Sequence, residues 1–317
     1  MYNGLKVLSS YHRKGGVGKT FLASTIAYLL ASGGPDGTGP KKRVLILDVD
    51  SQQDTSGKFL QMTKIPGEDS YSAPYLPNED WEDNPNLTGI NYTTDILFGI
   101  EVLEYETPIP NICIIPSEGN IDRIHKLNGE SDTIAEGIST LMSEWFTKTN
   151  LHEDYDIVII DNPPSKTPMA AGMLEAATHL IMPVELDRDS VDGAENLVTR
   201  VNNINRARGK GATPLEIVGI VPNNIPLKLA KKDEAAFEQL LDPSSNTSRY
   251  VSDFDIRNRQ CYRPERKPTT SEVDFKYVSE FRAKKEMYCL YNLVLKKIFN
   301  ESVKSPFDIL NKEVENV

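Results

Sequence analysis

The segment Arg13-Lys14-Gly15-Gly16-Val17-Gly18-Lys19-Thr20 has the residue types needed to bind a chain of phosphates. Glycines without a Cβ let successive backbone N–H groups turn toward one anion. A lysine after the last glycine can reach the β- and γ-phosphates, and the next hydroxyl can ligate Mg²⁺. The general pattern G-x-x-x-x-G-K-[ST] is not met strictly, because Arg13 occupies its first glycine position. An additional lysine, Lys14, follows instead. A turn of this composition can exist without a nucleotide. The apolar run before it and the helical periodicity after it favour phosphate, since a helix N-terminus adds its positive dipole end.

Two further segments carry acids at the ends of apolar runs: Leu47-Asp48-Val49-Asp50-Ser51-Gln52-Gln53 and Ile159-Ile160-Asp161-Asn162-Pro163-Pro164. In a parallel sheet, ligands sit beyond the carboxyl ends of strands. Asp48 and Asp50 alternate along an extended chain, so one is expected to position an attacking water and the other to support the loop or a metal. Asp161 ends its run as a Walker B acid does, where a carboxylate meets Mg²⁺ directly or through water. A single acid at a strand end also serves as a turn residue or helix cap. Three chemically matched strand ends in one chain make the catalytic reading the stronger.

These segments need a scaffold that brings strand ends together. Continuous apolar runs at 44–47 and 157–160 suit parallel strands buried on both faces. Further strands are expected at 5–10, 111–115, 179–183, 216–221 and around 249–252. Helices are expected at 19–31 and within 120–148, 167–177, 190–206, 231–241 and 277–299. The alternation predicts an α/β fold: one doubly wound, mainly parallel sheet flanked by helices, in a single domain over 1–317. Surface insertions are expected at about 32–42, rich in Gly and Pro, and at about 61–92, which has no period.

With 39 % apolar and 26 % charged residues, the composition is that of a globular protein and excludes collagen-like or wholly disordered classes. No apolar run reaches membrane-spanning length. Cys113, Cys261 and Cys289 form no C-x-x-C pair, which fits a reducing compartment and argues against zinc or iron–sulfur ligation. The net charge of −11 disfavours a generic polyanion binder, yet the charge is polarised. Residues 61–110 hold ten acids and one base, whereas 249–297 hold twelve bases and seven acids. Arg200, Arg206, Arg208 and Lys210 form a second basic stretch without acids. Such runs are either solvated faces or phosphate contacts.

The set K-G-G-V-G-K-T, D-V-D-S-Q and D-N-P-P resembles the deviant Walker A ATPases of the ParA/MinD family, with similarity from residue 7 to about 299. The stretches LIMPVELDRDSVD and VGIVPN resemble later strands of that family. The resemblance implies a P-loop NTPase fold, ATP and Mg²⁺ as cofactors, and slow, partner-stimulated ATP hydrolysis. It implies that Lys14 is the signature lysine reaching a partner's phosphates across a homodimer formed on ATP binding. Gly15, Gly16, Val17, Gly18, Lys19 and Thr20 then form the cradle, with Thr20 and Asp161 at the metal, Asp50 positioning water and Asn223 reading adenine. Lys14, Lys19 and Asp50 are the implied catalytic residues. Two departures stand out: Ser51 where many members have proline, and Phe21 where a second hydroxyl often follows Thr20.

Among family members, the chain most resembles ParA-type DNA segregation ATPases without an N-terminal DNA-binding domain. This implies plasmid or chromosome partition with a ParB-like or other adaptor, non-specific DNA binding and a cytoplasmic, nucleoid-associated location. Arg257, Arg259, Arg263 and Arg266 are the expected DNA contacts, with Arg200, Arg206, Arg208 and Lys267 as further candidates; pairing with the many acids is the alternative. A positioning ATPase carrying a protein or organelle cargo along the nucleoid, and a MinD-like membrane-associated regulator, are rival readings. A membrane role is the less expected, because acids follow the last helical stretch. A metabolic ligase or kinase sharing the loop would leave Lys14 without work. His12 beside the loop and the pair Glu175 and His179 are expected to be incidental.

Overall fold

The structure is a computed structural model describing residues 2–77, 89–119, 131–164, 167–262 and 275–307. Its centre is a seven-stranded sheet in the order β5-β6-β2-β7-β1-β8-β9. The strands are β1 (Lys6–Ser10), β2 (Val44–Asp48), β5 (Tyr105–Glu106), β6 (Ile112–Ile115), β7 (Ile157–Asp161), β8 (His179–Val184) and β9 (Glu216–Pro222). All neighbours run parallel except the edge strand β5. The apolar runs explain the centre of this sheet: every residue of β2, β7 and β8 is buried, as parallel strands covered on both faces require. The expected α/β class and sheet are observed.

Helices cover both faces of the sheet. They are α1 (Lys19–Ser32), α2 (Asp54–Phe59), α3 (Thr93–Leu97), α4 (Ser131–Lys148), α5 (Leu151–Asp154), α6 (Pro168–Ala176), α7 (Arg188–Arg208), α8 (Lys231–Leu241) and α9 (Phe281–Val294). One core packs α4, α6 and α7 on the sheet; the other packs α1 and α9 on the opposite face. Helix α9 continues through a π-type turn, Leu295–Phe299, and closes at left-handed Asn300. It buries Met287, Leu290, Tyr291 and Val294 in the second core, as its apolar composition predicts.

One local expectation changes. Residues 249–252 do not form a sheet strand: Ser248–Tyr250 is a 3₁₀ turn, and only Val251 bridges Ile220. Tyr250 N donates back to Thr247 O, and the chain then follows the end of β9 through isolated contacts, Ser252 N to Ile220 O at 2.9 Å and Ile256 N to Pro222 O at 2.8 Å, without becoming a strand. Within 61–92 the described residues form a two-stranded ribbon, β3 (Thr63–Lys64) and β4 (Tyr71–Ser72), while 78–88 lie outside the described residues. Gln53 ties that ribbon to the sheet, donating to Tyr71 O and Ser117 O and accepting from Tyr71 N, each at 2.8 Å. The short α2, α3 and β5 are too brief for periodicity to reveal.

The Gly/Pro-rich loop at 32–42 is a clamp on α9 rather than a bare surface excursion. Tyr291, 1 % exposed, donates its hydroxyl to Pro40 O at 2.5 Å. Asp36 accepts from Tyr288 and pairs with Lys284, and Lys42 pairs with Glu301 at 2.7 Å. Gly34 has φ +84°, and a Cβ there would stand 2.8 Å from the Tyr291 ring. Glycine is therefore required twice, by conformation and by space. Gly34→Ala should lower stability by about 2 kcal/mol through strain and overpacking. A melting temperature equal to the parent's would show that the clamp does not hold α9.

Candidate active site

The glycine loop leaves β1 and enters α1 at Lys19. Its ends are tied: Ser10 Oγ donates to Lys19 O at 3.0 Å, and Asn162 Nδ2 donates to Ser9 Oγ at 2.9 Å and Ser10 O at 3.2 Å. Gly16 and Gly18 take φ of +79° and +98°, which side chains rarely adopt. Gly15 packs on Pro164, where a Cβ would meet the ring at 3.4 Å, and Val17 is buried. Lys19 is 5 % exposed and donates to Lys14 O at 3.1 Å. Burial pushes its pKa down, and the nearby Asp161 and Asp50 carboxylates oppose that shift.

Three carboxylates sit at the carboxyl ends of β2 and β7. In the sheet register Asp161 stands beside Ser10 of β1 on one side and Asp48 of β2 on the other. Asp48 is fully buried and committed to its own loop: Oδ1 accepts from Asp50 N at 3.0 Å, and Oδ2 accepts from Ser56 N at 2.8 Å and Ser56 Oγ at 2.7 Å. It thereby shapes the turn into α2. Asp161 is also fully buried; Oδ2 accepts from Thr55 Oγ1 at 2.7 Å and the Thr20 hydroxyl faces the same carboxyl. Its Oδ1 is buried with no hydrogen-bond partner. Burial raises the pKa of both Asp48 and Asp161; the Asp161 charge adds to the rise at Asp48, and the Asp50 charge adds to that at Asp161. Asp50 is 9 % exposed and faces Lys19; burial raises its pKa, while Gln52 N and Lys19 pull it down.

An orphaned buried carboxylate oxygen beside a threonine hydroxyl suits a hard cation. Thr20 and Asp161 fit as holders of Mg²⁺, directly or through water, and the ion would supply positive charge to phosphate oxygens.

Lys14 points elsewhere. Its ammonium meets Asp187 Oδ2 at 2.5 Å and Glu185 Oε2 at 3.2 Å, both beyond β8. Burial alone would lower its pKa, but the two carboxylates outweigh burial and raise it. Its backbone N donates to His12 Nδ1 at 3.0 Å, and His12 Nε2 meets Ser190 O at 3.0 Å. Burial lowers the His12 pKa to about 4, so it is a neutral structural link rather than an incidental neighbour. Glu175 and His179 do not converge: Glu175 pairs with Arg200 at 2.8 Å, and His179 meets Thr178 Oγ1 at 2.8 Å.

Beside Gly16 lies a cleft of about 220 Å³ lined by Phe21, Asn223, Arg257, Arg259 and Tyr262 among others. Asn223 Nδ2 donates to Val17 O at 2.7 Å, bracing the glycine loop, and a Cβ on Gly18 would collide with it. Arg257 pairs with Asp255 at 2.6 Å. Arg259 forks onto Glu286 Oε1 at 2.9 and 2.5 Å, and Tyr262 donates to Glu286 Oε2 at 2.5 Å. The structure therefore sets Arg257 and Arg259 in the wall of this cleft, paired with acids. Arg263, Arg266 and Lys267 lie outside the described residues. Arg208 is spent on the carbonyls of Glu175, Ala177 and Thr213, whereas Arg206 and Lys210 are exposed.

Comparison with known proteins decides the family. Residues 5–212 match the family described as an AAA domain. The chain belongs to this family, as a P-loop ATPase of the ParA/MinD group. It is 24 % identical over 249 residues to the chromosome partitioning protein ParA of Caulobacter vibrioides, covering 74 % of this chain and 78 % of that protein. It is 22 % identical over 247 residues to protein IncC of Escherichia coli, covering 76 % of this chain. The matches span 58 % of IncC and 45 % of a Rhizobium rhizogenes putative replication protein A, so the chain corresponds to about half the length of these relatives. In fold it is similar to the ATP complex of Cyanothece McdA, with TM-score 0.67, 17 % identity and coverage of 95 % and 99 % of the two chains. A Borrelia burgdorferi putative plasmid partition protein bound to AMPPNP gives TM-score 0.61 at 18 % identity, covering 92 % and 99 %.

Four groups of this site have roles that no local spacing reveals. Glu185 and Asp187 lie in a stretch that resembled the family but carried no role. Glu286 sits on a distant helix, and no local spacing ties it to Arg259 and Tyr262. His12 stands next to the loop, but only its contact with Ser190 reveals its task. The raised pKa of Asp161 has a measurable consequence for family members that bind Mg²⁺. A carboxyl pushed upward keeps its proton longer, so Mg²⁺·ATP binding should release protons and weaken as pH falls. Calorimetry in two buffers of different ionisation enthalpy should detect that release, and Asp161→Asn should reduce it. Identical proton release in the variant would remove Asp161 from the metal site.

Proposed function

We propose that the chain is a Mg²⁺·ATP-dependent ATPase that forms a nucleotide-sandwich homodimer and acts in DNA partition, with slow hydrolysis stimulated by a ParB-like or other adaptor. The observation that carries this reading is the divergence of the two loop lysines. Lys19 turns into its own cradle toward Asp50 and Asp161, while Lys14 turns outward to Glu185 and Asp187. One lysine suffices to hold the phosphates of its own subunit. The second becomes useful when another subunit brings a triphosphate to it. Asp50, close to Lys19 and only partly committed to Gln52 N at 3.0 Å, is placed to orient an attacking water. The kinship with partition proteins supports plasmid or chromosome cargo. The burial of α9 within the core disfavours its use as a membrane-lying helix.

ATP should drive dimerisation, and ADP should not. Lys14→Ala should abolish hydrolysis while keeping nucleotide binding, Lys19→Ala should lose both, and Asp50→Ala should accumulate the ATP-bound dimer. Sedimentation with each nucleotide checks this; equal behaviour with ATP, ADP and no nucleotide would end the sandwich reading.

DNA binding is proposed to be non-specific, through phosphate contacts on the ATP dimer. Arg257 and Arg259 are paired in the cleft wall, so their reversal should disturb nucleotide binding first. Exposed Arg206 and Lys210, near the end of α7, are the better-placed contacts. Arg206→Glu with Lys210→Glu should weaken DNA binding and leave ATP-driven dimerisation intact. The slope of log affinity against log salt should become shallower by about 0.9 for every phosphate that the variant no longer neutralises. Unchanged affinity and slope would move the DNA face away from α7.

A further inference from the structure

Both the backbone and the side chain of Lys14 are held by one place in the fold, the start of α7. Asp187 is the N-cap of that helix: Oδ1 accepts from Ser190 N and Oδ2 from Ser190 Oγ, each at 3.1 Å. The same Oδ2 takes the Lys14 ammonium at 2.5 Å. Glu185 takes it at 3.2 Å through Oε2, while its Oε1 accepts from Asn224 Nδ2 at 2.7 Å. His12 spans from Lys14 N to Ser190 O and ties the loop backbone to the same turn. Two oriented carboxylates thus surround one ammonium that the cradle of its own chain does not use.

We infer that Glu185 and Asp187 are positioning residues that hold Lys14 within its own subunit, as a stand-in for the phosphates of a partner, and so set the concentration at which the ATP dimer forms. The inference rests on the sandwich reading above. Carboxylates and phosphates carry charge of the same sign, so they compete for the lysine rather than share it. A lysine entering the partner's site must first leave both acids. The pairs are only partly exposed, with side chains 34 % (Lys14), 24 % (Glu185) and 38 % (Asp187) accessible. Pairs of that exposure are weak enough to be exchanged at a cost of a few-fold in an equilibrium constant. Each dimer releases two lysines, so a cost of about fivefold per subunit enters the dimer constant twice, as about 25-fold.

The test is the double variant Glu185→Gln with Asp187→Asn, studied in the full chain with ATP and Mg²⁺. Asparagine keeps an oxygen for Ser190 N, so the cap of α7 survives. Sedimentation across protein concentration should show dimerisation about 25-fold tighter than in the parent. Affinity for a fluorescent ATP analogue, measured below the dimerisation range, should be unchanged, because Lys19 holds that nucleotide. The melting temperature should stay close to the parent's. Asp187→Ala, which removes the cap as well, should lower it, separating helix support from lysine retention. Dimerisation that is unchanged or weaker in a folded, ATP-binding double variant would overturn the inference. It would mean that the acids steer Lys14 across the interface rather than retain it. Failure of both proteins to dimerise while binding ATP would instead remove the sandwich reading, and the inference with it.

Discussion

Two carboxylates buried side by side make the demand that organises the molecule. The register of β2 against β7 puts Asp48 opposite Asp161 at the ends of neighbouring strands, both without solvent. Buried like charges are costly unless donors and cations meet them. Asp48 is met by Ser56 and the Asp50 amide, which winds the chain into α2. Asp161 is met by Thr55 from that same helix and keeps one oxygen unpaired, toward the threonine and lysine of the glycine loop. The shape of the loop after β2 and the position of the metal-ready oxygen therefore follow from one electrostatic problem.

A second set of contacts connects the loop to more distant elements. Asn223, after β9, braces Val17; His12 and Asp187 anchor the loop to α7; Asn162 ties the end of β1, where the loop begins, to β7. The far wall of the neighbouring cleft is set by Glu286 of α9, which gathers Arg259 and Tyr262. Phe21, from the first turn of α1, packs edge-on to Tyr262 at 5.3 Å and lies 5.7 Å from Tyr277. An aromatic side chain at that position thus joins the cleft wall, which gives the departure from the family's second hydroxyl a packing role. The clamp at 32–42 matters to this wall because it holds α9 in place.

The charge pattern has a similar explanation. A polarised sequence suggests a basic face, but several of the basic side chains are consumed by nearby acids or carbonyls. Arg200, Arg257 and Arg259 make ion pairs, and Arg208 caps carbonyl groups around the end of α6. Arg206 and Lys210, near the end of α7, are exposed.

The α/β architecture, the glycine loop and the acids at the strand ends are legible in the chain before it folds. They are written in local patterns: continuous apolar runs, glycines before a lysine, and carboxylates after the runs. How those pieces are used depends on packing. Alternation along the chain left the roles of Asp48 and Asp50 open, and only the capping of α2 assigned Asp48 to support. Lys14 and its two acids are more than 170 residues apart, as are His12 and Ser190. Arg259 and Glu286 are 27 residues apart and on different elements. Charge pairs of that kind have no local signature. They arise when strand order and helix packing bring distant side chains together, and burial then forces each charge to find a partner.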